Sequence, residues 1–255
     1  MTGFLRQKYI MKNKSSSDNI FASPLSEIVD FVFDENVVDV FPDMINRSVP
    51  GYSTVINLIG LLAQQYTKPN TRLYDLGCSL GAASLSMRHR LTQEGCEIIS
   101  VDNAEAMIER LDKILKRDNS QTPVQTLCSD IQNVDINNAS FVVMNFTLQF
   151  IPLQERKEIL TKIYNGLNDG GCLILSEKLA FADNDENETQ IELHHAFKKS
   201  NGYSDLEIAQ KRSALENVLI PETTETHIQR LKQTGFSQVF PFFQCLNFAS
   251  FIAIK

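Results

Sequence analysis

The residues best suited to chemistry in this sequence lie at or just after the ends of four predicted β-strands. The set comprises Asp75, Gly77, Cys78 and Ser79 at the first strand, Asp102 and Asn103 at the second, Asp130 and Ile131 at the third, and Asn145 at the fourth. Small residues let a backbone approach a ligand closely, and a carboxylate accepts hydrogen bonds from ribose hydroxyls. Because parallel strands end at the same edge of a sheet, these residues are expected to share one ligand crevice.

The small-residue turn at 77–81 permits several interpretations. A phosphate-binding Walker loop needs a lysine after its last glycine, and none follows Gly81. A dinucleotide fingerprint needs G-x-G-x-x-G, which is absent. The G-x-S-x-G nucleophile elbow of α/β-hydrolases fits the five residues. Its triad would need an acid and then a histidine far downstream, where His194, His195 and His227 lie, and no oxyanion-hole segment is present. A ligand crevice that uses Asp75, Asp102 and Asp130 explains more of the sequence.

The elements that position these residues alternate between strand and helix. Predicted strands are 71–76, 97–101, 124–127, 141–146 and 172–176, and the helices between them are 82–90, 104–116 and 152–167. Such alternation predicts an α/β fold with a doubly wound, mostly parallel sheet. Segments 239–243 and 248–254 are linked too closely to pair in parallel, so they are expected to add an antiparallel hairpin and complete seven strands.

Helical patterns flank this α/β unit. Apolar spacing predicts N-terminal helices within 31–41 and over 53–65, and a last helix over 222–234. Between the fifth strand and that last helix, residues 180–221 are expected to form a helical insertion, with the acidic run 183–188 as a solvated turn. Residues 1–20 are expected to be a flexible tail, with either Met1 or Met11 as the start, and 21–255 a single domain.

Composition narrows the class of protein. The chain has 255 residues, 43% of them hydrophobic, with 24 basic and 31 acidic side chains and a formal net charge of −7. That charge disfavours nucleic acid as the direct partner, and no run of about 18 apolar residues could span a membrane. The five cysteines are odd in number and contain no C-x-x-C pair, so we expect free thiols, a cytoplasmic location and no metal. The pair His194-His195 lacks the i, i+4 spacing of a helical zinc site.

These features resemble the class I S-adenosylmethionine (SAM)-dependent methyltransferases, in which an acidic residue stands beside a glycine-rich turn and the seventh strand is antiparallel. The usual middle glycine of that turn is Ser79 here. A narrower resemblance, from about residue 21 to the C-terminus, is to the carboxy-S-adenosylmethionine (carboxy-SAM) synthases. It rests on FPDMINRSVPGY at 41–52, YDLGCSLGA at 74–82, NFTLQF at 145–150, NGYS at 201–204 and QKRS at 210–213.

The resemblance implies a reaction in which SAM and prephenate give carboxy-SAM, phenylpyruvate and water. Prephenate would supply both the base that takes a proton from the SAM methyl group and the carbon dioxide that this carbon captures. The protein would then need no general base of its own. The product would pass to a separate tRNA carboxymethyltransferase that modifies a wobble uridine. A homodimer is also expected, because apolar N-terminal helices lie outside the sheet core.

The resemblance also assigns roles to the site residues. Tyr52 would cap the methionine carboxylate, and the turn at Asp75, Gly77, Cys78 and Ser79 would contact the methionine part of SAM. Asp102 and Asn103 would bind the ribose, and Asp130 and Ile131 would frame the adenine. Asn145 would lie near the amino-acid or sulfonium end. Arg212 would bind the added carboxylate of carboxy-SAM through two parallel hydrogen bonds. Taken alone, Tyr52 could be a packing aromatic, Asp102 a helix N-cap, Asn145 a strand-end turn residue and Arg212 a solvated surface residue.

Two other functions remain open at this point. An ordinary SAM-dependent methyltransferase, acting on a small molecule or tRNA, would need a basic face or a base that activates its acceptor. A SAM-binding interaction protein would keep the adenosyl site and form no product.

Overall fold

The computed structural model of the protein describes residues 17–25 and 27–255. Its helices are α1 (Glu35–Ser48), α2 (Tyr52–Tyr66), α3 (Ala82–Arg88), α4 (Glu105–Leu115), α5 (Arg156–Gly166), α6 (Asn184–Ser200), α7 (Asp205–Leu215) and α8 (Thr224–Thr234). Its strands are β1 (Arg72–Leu76), β2 (Glu97–Asp102), β3 (Val124–Cys128), β4 (Ala139–Asn145), β5 (Leu167–Lys178), β6 (Gln238–Cys245) and β7 (Phe248–Ile254). Short 3₁₀ turns occupy Ile131–Asn133 and Leu148–Phe150.

The strands form one seven-stranded sheet in the order β3-β2-β1-β4-β5-β7-β6. Strands β1 to β5 pair in parallel, and β7 pairs antiparallel with both β5 and β6. The order reverses between β1 and β4, and an open α/β sheet binds ligands at such a switch point, outside the carboxyl ends of the strands. The predicted doubly wound sheet with its antiparallel hairpin is therefore confirmed.

Helices cover both faces of the central strands, so the side chains of these strands are mostly buried and apolar. Leu76 and Met144 belong to a buried cluster that includes residues of α5 and α8. Leu73 and Val143, which point to the opposite face because side chains alternate along a strand, pack with residues of α2 and α3. The sheet lies between these two clusters, and the predicted site residues are at the carboxyl ends of its strands.

Three element predictions need correction. The first helix begins at Glu35 rather than Phe31, because the side chain of Asp34 caps it by accepting a hydrogen bond from the Val37 N–H at 3.0 Å. The acidic run at 183–188 is the start of α6 rather than a turn: Asp183 is its N-cap, and acidic side chains are favoured near a helix N-terminus. The fifth strand begins at Leu167 and extends to Lys178.

The chain contacts the domain earlier than the predicted boundary at residue 21. Asp18 is buried, donates its backbone N–H to Asp43 at 2.7 Å, and accepts a hydrogen bond from the Tyr203 hydroxyl. Gln210 of α7 then binds the backbone oxygens of Phe21 and Ser23 at 2.9 and 3.0 Å. The rest of the predicted tail, residues 1–16, lies outside the described residues, as does the choice between Met1 and Met11.

Among the described helices, none is long and apolar enough to cross a membrane.

Candidate functional site

A cavity of about 370 Å³ opens at the carboxyl edge of the sheet, within the size range of about 300–1,000 Å³ for small-molecule sites. Ten of the eleven predicted site residues line it: Tyr52, Asp75, Gly77, Cys78, Ser79, Asp102, Asn103, Asp130, Ile131 and Asn145. Arg212 does not lie on its wall; its side chain is exposed on α7. The structure thus brings together the residues of the strand tips and leaves the predicted carboxylate-binding arginine outside them.

The turn after β1 is shaped by one glycine and one strained serine. Gly77 has φ +79°, and a Cβ atom there would lie 2.3 Å from the Thr147 Oγ1, so no larger residue fits without a rearrangement. Ser79 adopts φ +49°, a left-handed conformation that costs a non-glycine residue about 1–2 kcal/mol. Ser79 therefore holds a backbone conformation that a glycine adopts without this cost.

The N–H groups of this turn are already used within the protein. Those of Gly77 and Cys78 donate to the Val101 carbonyl at 2.8 and 2.9 Å, and that of Ser79 donates to the Asp102 carboxylate at 2.8 Å. Any polar backbone contact from Gly77, Cys78 or Ser79 to a ligand must then come from a carbonyl oxygen. Carbonyl oxygens suit a cationic amino group rather than an anion.

Asp75 is buried beneath the turn and holds the start of α3. One oxygen of its carboxylate accepts hydrogen bonds from the Ser84 N–H at 2.9 Å and the Ser84 hydroxyl at 2.6 Å. Burial raises the pKa of Asp75 to about 6; the Ser84 bonds oppose this shift and the nearby Asp102 charge adds to it. Asp75 thus positions the turn in addition to lining the cavity.

Asp102 connects the turn to the start of α4. Its two carboxylate oxygens accept hydrogen bonds from the N–H groups of Ser79 and Ala104, the latter at 3.0 Å, and burial raises its pKa. Each oxygen has a second lone pair, so the carboxylate can still accept hydrogen bonds from a diol. Asn103 beside it donates to Asp130 at 2.8 Å, which joins the tips of β2 and β3. The N-cap-like contact and the ligand role are therefore compatible.

Asn145, at the tip of β4, carries a buried side-chain oxygen that has no hydrogen-bond partner among the described residues. Most buried polar atoms in proteins are hydrogen-bonded, so an orphaned acceptor on a cavity wall indicates that a ligand supplies the donor. This observation fits a polar, amino-bearing ligand in the cavity.

Several cavity residues were missed by the sequence analysis. Phe146, Phe248 and His194 are three of them. Together with the predicted Tyr52 they form a row of rings in the order Tyr52, Phe146, Phe248, His194, with successive centroid distances of 6.4, 5.9 and 5.0 Å. Three lysines, Lys178, Lys198 and Lys211, line the cavity as well. Of these, only Lys178 carried a signal in the sequence, because it lies two residues after the predicted strand 172–176. The positions of Lys198 and Lys211 depend on how the helical insertion packs.

Burial and nearby charges shift the pKa values of two cavity residues, His194 and Tyr52. Burial lowers the pKa of His194 to about 3, with the Lys198 charge as the next cause. Burial likewise raises the pKa of Tyr52, and the Asp75 charge adds to this shift. His194 and Tyr52 are thus neutral at pH 7, and the charged side chains nearest His194 are basic.

Within residues 17–25 and 27–255, no cluster of three or more His, Cys, Asp or Glu side chains could hold a metal ion. The absence of a metal in the reaction stays a prediction.

Comparison with known proteins identifies the class of fold. Residues 73–171 match a family described as a methyltransferase domain. Magnesium protoporphyrin IX methyltransferase from Synechocystis PCC 6803, solved with bound SAM, superposes with a TM-score of 0.54 at 14% identity over 93% of this chain and 88% of its own. The same protein solved with bound S-adenosylhomocysteine gives a TM-score of 0.56 over 80% of this chain and 83% of its own, again at 14% identity. The sheet order and the crevice define a class I SAM-dependent methyltransferase fold.

Closer relatives identify the family within that class. A carboxy-S-adenosyl-L-methionine synthase from Geobacter sp. (strain M21) is 58% identical over 94% of this chain and 98% of its own length. The synthase of the same name from Vibrio vulnificus (strain YJ016) is 56% identical over 96% of this chain and 100% of its own. The chain belongs to the carboxy-S-adenosyl-L-methionine synthase family, and it is an enzyme that uses SAM, as the resemblance of its motifs implies.

Proposed function

We propose that this enzyme converts SAM and prephenate into carboxy-SAM, phenylpyruvate and water. One observation carries the proposal. The match to the synthases extends over 94–96% of the chain, whereas the general methyltransferase match ends at residue 171. The segments outside the general match contribute a large part of the cavity wall, including Phe33, Tyr52, His194 and Lys198. The match to the synthases thus includes the parts of the cavity wall that lie outside the general methyltransferase match.

The proposed reaction balances without an oxidant or reductant. The ring of prephenate loses its carboxyl group as carbon dioxide and its hydroxyl group as hydroxide, and the ring becomes the aromatic ring of phenylpyruvate. The hydroxide takes one proton from the methyl group on the SAM sulfur and becomes water. The methyl carbon then forms its new bond to carbon dioxide. SAM supplies the acidified methyl group; the protein has to bind both reactants together and exclude water.

The residues of the strand tips fit the groups of SAM in this scheme. The carbonyl-rich turn at 77–79 and the orphaned oxygen of Asn145 offer acceptors to an amino group. Asp102 offers acceptors to the ribose hydroxyls, and we assign Asp130 and Ile131, which line the same cavity, to the adenine. Tyr52, which is neutral at pH 7, can donate its hydroxyl proton to the methionine carboxylate.

Arg212 remains the proposed ligand of the added carboxylate. It does not line the cavity, but its positive charge lowers the pKa of the cavity residues Lys178 and Lys198. A small movement of α7, or a second subunit, would bring it to the carboxylate. The exposed apolar side chains of Val29 and Val32, 71% and 66% exposed, support the proposed homodimer.

The chemistry of carboxy-SAM indicates the kind of enzyme that consumes it. Carboxy-SAM carries an activated carboxymethyl group, and we assign its consumption to a separate cytoplasmic enzyme that carboxymethylates a tRNA wobble uridine. The net charge of −7 supports this division, because an enzyme that supplies the donor need not contact RNA.

Mass spectrometry of a single reaction tests the proposed function. Purified protein is incubated with SAM, with and without prephenate. Carboxy-SAM and phenylpyruvate are expected to form in equal amounts, and only when prephenate is present. If S-adenosylhomocysteine accumulates with an added acceptor and no carboxy-SAM forms, the enzyme is an ordinary methyltransferase. If neither product forms while SAM binds, it is a SAM-binding interaction protein.

A further inference from the structure

The cavity has a positively charged side formed by three lysines. Lys178 ends β5, Lys198 lies on α6 and Lys211 lies on α7, so all three lie apart from the tips of β1 to β4 that form the proposed SAM site. Lys198 and Lys211 are 8% and 6% exposed, and Lys178 is half-buried. A buried ammonium group is costly unless a negative charge or several acceptors balance it.

Lys211 is balanced by the protein itself. Its ammonium nitrogen lies 3.5 Å from the Asp18 carboxylate and donates a hydrogen bond to the Ser48 hydroxyl at 3.2 Å. This ion pair links the N-terminal segment to α7. Because Asp18 already balances the charge of Lys211, a second anion would bind to Lys211 more weakly than to an unpaired lysine.

Lys178 and Lys198 have no such partner. In the part of the chain that the structure describes, neither ammonium group forms a salt bridge or a hydrogen bond, and no carboxylate is among the charges that act on either pKa. Residues 1–16 and Ser26 contain no acidic side chain that could serve. The charges that do act on them are all positive: Arg212 acts on Lys178, and Lys211, Lys178 and Arg212 act on Lys198.

Their pKa values agree with this environment. Burial lowers the pKa of Lys198 to about 7, with Lys211, Lys178 and Arg212 as further causes. Burial and the Arg212 charge lower the pKa of Lys178. A bound anion would stabilise both protonated ammonium groups, so part of the binding free energy would come from relief of their mutual repulsion.

We propose that Lys178 and Lys198 together form the binding site for the carboxylates of a small dicarboxylate, placed beside the SAM site and separate from it. This inference rests on the proposed function and deepens it, since prephenate is such a dianion. Phe146 and Phe248 line the same cavity with rings 5.9 Å apart and offer apolar surface to the ring that carries the two carboxylates. Lys211 is excluded from the site because Asp18 already neutralises it.

Calorimetric titration of prephenate into protein saturated with S-adenosylhomocysteine tests this assignment, because S-adenosylhomocysteine lacks the methyl group and no turnover occurs. The variants are Lys178→Met and Lys198→Met, which keep most of the side-chain volume. The matched control is Lys199→Met, next to Lys198 on α6 but exposed and paired with Asp205 at 2.5 Å. Thermal unfolding without ligand shows whether each variant is folded; loss of an unbalanced buried charge is expected to leave the melting temperature equal or higher.

Each cavity-lysine variant is expected to raise the Kd for prephenate by about tenfold or more, the usual effect of losing one hydrogen bond between charged groups. Its Kd for SAM should change by less than about threefold, and Lys199→Met should match the wild type. Unchanged prephenate affinity in both cavity variants overturns the inference. An equal loss of SAM and prephenate affinity also overturns it, since the lysines would then serve SAM.

Product assays separate this inference from the proposed function. If the wild type forms carboxy-SAM and both cavity variants keep the wild-type KM for prephenate, the lysine site is wrong and the function stands. If prephenate binds in a lysine-dependent way but no carboxy-SAM forms, the lysine site is supported and the proposed reaction is wrong.

Discussion

The carboxylate of Asp102 accepts a hydrogen bond from the backbone N–H of Ser79 at 2.8 Å. This bond joins the tip of β2 to the turn that follows β1, at the residue that holds a left-handed backbone conformation without being a glycine. Asp102 therefore supports the shape of the turn as well as offering acceptors to a ribose. The two roles make it the residue of the cavity whose loss should affect ligand binding most broadly.

The first prediction concerns that residue. Asp102→Ala removes the acceptor for Ser79 and the proposed ribose ligand, and a hydrogen bond to a charged group contributes about 1.5–3 kcal/mol. The Kd for SAM is expected to rise by roughly 10- to 100-fold in calorimetric titration. The exposed Glu109→Ala on α4 serves as the control and should bind SAM as the wild type does. A SAM affinity within threefold of the wild type in Asp102→Ala would contradict the assignment.

The strand-tip residues could be predicted from the sequence because strand periodicity determines where each strand ends. Parallel strands of an open sheet end at one edge, so Asp75, Asp102, Asp130 and Asn145 had to converge whatever the details of packing. Both the sheet order and the lining of the cavity by these residues agree with that argument.

The lysine side of the cavity could not be predicted in the same way. Lys198 and His194 reach the cavity because α6 packs against the end of α1 and against Phe248, and its polar local sequence gives no sign of these contacts. The use of the turn's N–H groups by Val101 and Asp102 is likewise a tertiary effect, and it leaves the carbonyl oxygens for the predicted backbone contacts.

The second prediction uses the buried carboxyl group of Asp75. Burial raises its pKa to about 6 in the folded protein, whereas an unfolded Asp has a pKa near 3.9. Between these two pH values the folded protein keeps a proton that the unfolded chain has lost, so rising pH destabilises the folded state until about pH 6. A difference of about two units between the folded and unfolded pKa corresponds to about 3 kcal/mol in the free energy of unfolding. Replacing Asp75 by a neutral residue should therefore stabilise the protein, relative to the wild type, increasingly from pH 4 to pH 7.

Asp75→Asn tests this pH dependence, since the amide oxygen can still accept hydrogen bonds from Ser84. The free energy of unfolding of the variant relative to the wild type, from urea titrations of ligand-free protein, should increase by up to about 3 kcal/mol between pH 4 and pH 7. The exposed Asp39→Asn is the control. If the difference in unfolding free energy between Asp75→Asn and the wild type is the same at pH 4 and pH 7, the pKa of the buried carboxyl group is not raised.

The third prediction concerns the support of the 3₁₀ turn at Leu148–Phe150, which lines part of the cavity. The fully buried Arg156 pairs with Glu222 and donates to the backbone oxygens of Ile151 and Gln149 at 2.9 and 3.1 Å. Its charge also acts on Glu177, whose burial raises its pKa to about 8. Arg156→Met removes the donor to Ile151 and one of the two arginines that pair with Glu222, while Arg230 still donates to Glu222 and the Ile220 N–H to the Gln149 oxygen. Breaking a buried ion pair costs about 3–5 kcal/mol, and the retained Arg230 sets the expected loss at or below the lower end of this range.

Urea unfolding at pH 7 measures this loss. Lys157→Met, the exposed neighbour on α5, should unfold like the wild type. A loss of less than about 1 kcal/mol in Arg156→Met would mean that solvent replaces these hydrogen bonds, and that the pair contributes no more than a surface salt bridge.

The last prediction separates the two carboxylates that the proposed product carries. Carboxy-SAM has one carboxylate more than SAM, and a guanidinium that binds it through two parallel hydrogen bonds adds affinity for the product alone. Arg212→Ala is therefore expected to raise the Kd for carboxy-SAM by roughly 10- to 100-fold while the Kd for SAM changes by less than threefold. Arg212→Lys should recover only part of the loss, since an ammonium group cannot form the parallel pair. Arg117→Ala, exposed at the end of α4, is the control, with both affinities unchanged. Because Arg212 lies outside the cavity wall, equal losses for both ligands would assign it to the general positive field around Lys178 and Lys198 rather than to the added carboxylate.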